Sequence, residues 1–81
     1  MTYHELMSVK ENSWITEGPD TKGMGGYALY DHKLFAYYGY WGQSEPKIYA
    51  VWEVNDFITQ HQYNSKPSIH AIVRTLKEQF Q

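Results

Sequence analysis

The sequence predicts an α+β domain: a three-stranded antiparallel meander, with a candidate fourth strand at residues 14–17, packed by an N-terminal helix and a C-terminal amphipathic helix. The element order is α-β-β-β-α-α. Two observations carry this prediction. Residues 27–53 are rich in aromatic and β-branched side chains that alternate at period two, the repeat of a pleated strand. Ile69, Ile72, Val73, Leu76 and Phe80 fall at offsets 0, 3, 4, 7 and 11, which places all of them on one stripe of a helix.

The elements follow in order. Thr2 and Glu5 have the spacing of a capping box, in which the Thr side chain serves the third helical amide and the Glu reaches back. A short helix is expected over residues 3–11, with Leu6, Met7 and Val9 toward one side and Asn12 and Ser13 ending it. Residues 17–26, EGPDTKGMGG, read as a loop. Thr21-Lys22-Gly23 superficially suggests a phosphate-binding loop. That motif needs Gly-Lys-Ser/Thr leading into a helix, and here the order is reversed before a strand.

Residues 27–30 and 34–41 form a hairpin around Asp31-His32-Lys33, a polar turn without glycine, for which a connection of three to five residues is expected. Residues 42–46 make the next turn, and Lys47–Glu53 is the third strand. Asn55 or Asp56 is expected to cap a short helix running to about Gln62, with Phe57, Ile58 and His61 on one side. Ser68 is a good N-cap for the last helix, with Pro67 just before it.

Size and composition bound the function. The chain has 81 residues, one domain's worth spanning 1–81. A domain this small buries about 60–65% of the surface its unfolded chain exposes, for a stability of about 5 kcal/mol. Aromatic residues at 17% raise that figure, because each buried ring removes a large apolar area from water. The absence of cysteine excludes disulfide staples, thiolate catalysis and thiolate zinc sites. A secreted domain of this size usually needs such staples, so a cytoplasmic location is expected. With neither a long apolar run nor a basic-then-apolar N-terminus, no membrane span and no secretory signal are expected. The net charge of −2 argues against strong phosphate-backbone binding, which relies on clustered cations.

No catalytic constellation stands out. His4, His32, His61 and His70 lack metal-ligand spacing, and His61 and His70 lie near helical apolar stripes where a structural histidine is the common outcome. Asp31-His32 reads as a solvated turn, and no serine sits in a nucleophile elbow. The chain is therefore expected to be no enzyme, with no metal and no cofactor.

The segment FAYYGYWGQ, residues 35–43, packs five rings into seven residues. On a strand Phe35, Tyr37, Gly39 and Trp41 share one face, and Leu34, Ala36, Tyr38 and Tyr40 the other. In the third strand Ile48, Ala50 and Trp52 oppose Tyr49, Val51 and Glu53. A three-residue turn would pair Leu29 with Phe35 and Tyr27 with Tyr37, making that face the core and leaving Tyr30, Tyr38 and Tyr40 outside. Tyrosine is amphipathic and suits a recognition surface.

The expected function is thus a non-catalytic protein-binding module of the inhibitor, adaptor or regulator type, a size class that phages and plasmids often encode. Its expected anchors are Tyr38, Tyr40 and Trp41, with Tyr30 and Tyr49 beside them. A symmetric homodimer closing on the same face is a further option. The alternative is a nucleic-acid-binding domain that stacks bases on the sheet rings and uses Arg74 and Lys77 on one side of the last helix, with Lys66 just before it. The stretch YALYDHKLFAYYGYWGQ resembles the central hairpin of the WGR domain, a module of some poly(ADP-ribose) polymerases in which a strand ends in Trp-Gly-Arg and helps engage DNA ends. The matching residues are Trp41-Gly42. Gln43 replaces the arginine and so removes the positive contact that this resemblance would imply.

Overall fold

A computed structural model of the chain describes residues 1–10, 12–13, 18–19, 21–43 and 45–80. Helix α1 (Tyr3–Val9) is followed by two two-residue strands, β1 (Asn12–Ser13) and β2 (Gly18–Pro19). The long strands β3 (Gly23–Tyr30), β4 (Lys33–Tyr40) and β5 (Lys47–Glu53) form the expected antiparallel meander, and helices α2 (Val54–His61) and α3 (Pro67–Phe80) complete the order. Both short strands pair with the outer edge of β3, so β5 is the opposite edge of the sheet. The candidate strand at residues 14–17 lies outside the described residues. No helix among them is long and apolar enough to cross a membrane.

The capping box forms as the spacing predicts. Thr2 Oγ1 accepts from the Glu5 amide at 3.2 Å, and the Thr2 amide donates to Glu5 Oε1 at 3.1 Å. The Thr2 backbone N–H, and then its hydroxyl, hold the Glu5 carboxyl below the usual carboxylate range. Helix α1 ends at Val9, before the residue 11 that its apolar spacing suggested, because Lys10 turns extended at φ −56° and ψ 136°.

The β3–β4 connection is shorter than expected. Tyr30 pairs with Lys33, leaving a two-residue turn of Asp31 and His32 with φ of 53° and 58°. Two consecutive positive φ values are the type I′ geometry that suits strand twist, and Asp and His are among the side chains that tolerate it. The His32 carbonyl accepts from the Val54 amide at 3.1 Å, so the turn also anchors the start of α2. His32→Gly should relieve the φ strain at the cost of the edge contact between the His32 and Phe80 rings, centroids 5.4 Å apart. The expected net is a gain of about 0.5 kcal/mol, visible as a thermal midpoint higher by a few degrees in a circular dichroism melt.

This turn resets the register. Leu29 opposes Leu34, Tyr27 opposes Ala36 and Ala28 opposes Phe35. The larger core therefore forms on the face of Leu34 and Ala36, opposite to the expected side. There Tyr27, Leu29, Leu34 and Ala36 pack beneath Val54, Phe57 and Ile58 of α2 and Ile69, Ile72, Val73 and Leu76 of α3. The second face is also covered. Leu6 of α1 is fully buried with Ala28, Phe35 and Tyr37, and Tyr3, Met7, Tyr30 and Ile48 pack around them. Burial, and secondarily the neighbouring Tyr3 phenol, push the Tyr37 phenol above the usual tyrosine range. The sheet is thus the middle layer between α1 and the α2–α3 pair.

Two helix starts differ from expectation. α2 follows β5 directly, with Glu53 rather than Asn55 or Asp56 at the N-cap and no side-chain capping bond. Its first amide is already satisfied by His32, so no side-chain cap is required for that donor. α3 begins at Pro67 rather than after a Ser68 cap. Proline's fixed φ and missing N–H fit the first helical position. The Lys66 carbonyl accepts from the His70 amide at 2.9 Å, and the Lys66 amide donates to Asn64 Oδ1 at 2.8 Å.

Candidate functional site

Helix α1 packs on one face of the sheet, while α2 and α3 cover the opposite face near the β3–β4 turn and leave the other end of that face bare. At that end Tyr38, Tyr40, Gln43, Lys47 and Tyr49 line an open concavity of about 600 Å3. Tyr40 is 56% exposed and Tyr49 61%, and Tyr38 is half-buried.

Three local features build it. Tyr38 and Tyr40 lie two residues apart on one face of β4, their rings edge-to-face at a centroid distance of 5.1 Å. Tyr38 lies over Gly25 on β3. A Cβ at residue 25 would sit 2.7 Å from the Tyr38 Cδ2, so the ring occupies space that only glycine leaves. The third feature is a bulge in β5. Ala36 pairs with Ala50, but Tyr37 pairs with Ile48, so Tyr49 is an extra residue in the ladder. The bulge turns Ile48 toward the α1 side, where it packs on the smaller core, and Tyr49 lines the concavity with Tyr38 and Tyr40. Strict alternation had instead placed Ile48 with Ala50 and Trp52.

Gly25→Ala tests this arrangement. The added methyl should displace the Tyr38 ring and lower the thermal midpoint by the equivalent of about 1–3 kcal/mol. An unchanged midpoint would show that the Tyr38 ring yields to the methyl without cost.

Trp41 continues the aromatic surface around the end of the sheet. The Gln43 amide donates to the Tyr40 carbonyl at 3.1 Å, and Gly42 has φ 91°, as the third position of a type II turn requires. The turn itself therefore explains the glycine of the Trp-Gly dipeptide. The Trp41 amide donates to the Lys22 carbonyl at 2.8 Å, and its side chain is 56% exposed beside Met24 and Pro46. His4 Nε2 lies 2.6 Å from Glu45 Oε2, linking α1 to the β4–β5 turn.

Of the predicted anchors, Tyr38, Tyr40 and Tyr49 come together, and Trp41 adjoins them. Tyr30 does not: it is half-buried against the α1-side core, on the other face of the sheet. Gln43 and Lys47 join the site without having been predicted. Their signal was their position flanking the β4–β5 turn, beside the aromatic run. Lys66, Arg74 and Lys77 are all exposed on or just before α3, and none lines the tyrosine concavity.

Among the described residues no group of three His, Cys, Asp or Glu side chains could hold a metal ion. His61 lies in the packing of α2. Its Nδ1 is 3.0 Å from the Phe57 carbonyl, and its ring stacks on Phe57 at 4.2 Å. Asp31 and His32 are exposed in the hairpin turn. No family model, no curated protein and no solved structure matches the chain.

Proposed function

We propose that the chain is a non-catalytic protein-binding module of the inhibitor, adaptor or regulator type, acting in the cytoplasm and docking through the bare end of its sheet. The observation that carries this reading is the grouping of Tyr38, Tyr40 and Tyr49 in one concavity that neither helix layer covers, with Trp41 exposed beside it. Tyrosine and tryptophan supply most hot-spot energy in protein interfaces, and they do so from central pockets of this kind. A contiguous exposed aromatic patch on a small domain costs solubility, and such patches tend to mark interaction surfaces.

The nucleic-acid reading ranks second. Lys66, Arg74 and Lys77 do not line the concavity, and Lys47 is the one cation among its described lining residues. The test is loss of partner capture on replacing Tyr40 and Tyr49 by alanine with the fold retained.

A further inference from the structure

We propose that the occupant of the tyrosine concavity is an extended acidic segment of a partner protein, which lays an apolar side chain against the rings and sets a carboxylate on the Lys47 ammonium. This rests on the docking reading above and specifies the chemistry of the partner.

Charge complementarity selects this occupant. Among the described residues the lining is three phenols, the Gln43 carboxamide and the Lys47 ammonium, with no carboxylate. Lys47 is exposed and stands across the ladder from Tyr38, so the backbone register sets a cation beside the ring pair. Among the described residues, no ion pair or hydrogen bond engages the Lys47 side chain. The chain as a whole carries a net charge of −2, so this site offers an acidic partner attraction that the average surface does not. Such contrast sets register and rejects wrong partners more than it adds bulk affinity.

The shape argues for an extended segment. The concavity lies on the β5 side of the sheet, whose outer edge has no neighbouring strand among the described residues. The bulge at Tyr49 disturbs regular ladder pairing along that edge. A chain laid there is therefore held by its side chains. A nucleic-acid strand fits less well, because successive phosphates need successive cations and the described lining residues supply one.

The test is selection of short linear peptides from a random displayed library on the immobilised protein, in parallel with the Lys47→Met, Lys47→Glu and Tyr40→Ala/Tyr49→Ala variants. The proposal predicts enrichment of Asp or Glu next to an aromatic or aliphatic residue. A selected peptide should bind Lys47→Met about tenfold more weakly, and Lys47→Glu should turn the selection toward basic peptides. Lys47 is exposed, so both variants should melt with the parent. Peptides without acidic bias, lost on the tyrosine double variant but not on Lys47→Met, would overturn the acidic partner and leave the docking reading standing. Failure to select any peptide, or selection indifferent to both sets of changes, would remove both. Displacement of a selected peptide by a single-stranded oligonucleotide at low concentration would reassign the face to nucleic acid.

Discussion

Replacing Tyr40 and Tyr49 together by alanine should abolish capture of the partner while leaving the fold intact. Both side chains are more than half exposed, at 56% and 61%, so little buried area is lost within the protein. Exposed substitutions usually change stability by no more than about 0.5 kcal/mol each, a few degrees in midpoint for a domain of this length. Interface hot spots cost about 2 kcal/mol or more on truncation. Two of them amount to about 4 kcal/mol, a loss of about a thousandfold in affinity. Tyr38 is a poorer choice, because its ring fills the space over Gly25 and its removal mixes stability with binding. Tyr30→Ala is the informative control. It should lower stability by loosening the α1-side core and leave intrinsic affinity unchanged.

Phe57→Ala should lower the thermal midpoint by about 15–30 °C and leave the domain on the verge of unfolding at room temperature. Phe57 is 1% exposed and sits where the layers meet. Its ring is edge-to-face with Trp52 at 5.0 Å and Tyr27 at 6.3 Å, and stacked with His61 at 4.2 Å. Truncating a buried phenylalanine costs about 3–5 kcal/mol, comparable with the whole stability expected of a chain this short. A circular dichroism melt measures it directly. A fall of less than about 5 °C would mean that α2 contributes little to holding the sheet.

The parts of this fold that were legible in the sequence depend on a residue's own periodicity. The stripe from Ile69 to Phe80 marks α3, and its members Ile69, Ile72, Val73 and Leu76 are all buried. The Thr2–Glu5 box forms because both of its hydrogen bonds lie within one turn. What was not legible depends on relations between strands. Asp31-His32 carries no glycine, so a tight turn with two positive φ values was not signalled. A different turn length re-paired the whole hairpin and moved the larger core to the other face. The bulge at Tyr49 leaves no trace in KIYAVWE, which alternates evenly. It became visible only as the shift from Ala36–Ala50 to Tyr37–Ile48.

The same division holds for the site. Aromatic content named Tyr38, Tyr40, Trp41 and Tyr49, because rings on both faces of a sheet exceed what short helices can cover. Which rings stay uncovered depends on where the helices pack. Helices α2 and α3 pack over the β3–β4 turn end of one face and leave its β4–β5 turn end open, adding Gln43 and Lys47, while Tyr30 lies on the opposite face against α1.

The most direct test of the docking face is capture from a cytosolic lysate, with and without nuclease treatment, on the immobilised wild-type chain, the Tyr40→Ala/Tyr49→Ala variant and an Arg74→Ala/Lys77→Ala variant, each first shown to melt with the parent. The account predicts a discrete protein retained by the wild type and by the helix variant and lost from the tyrosine variant. Retention by the tyrosine variant with loss from the helix variant, or capture that disappears with nuclease treatment, would contradict it and place the function on α3.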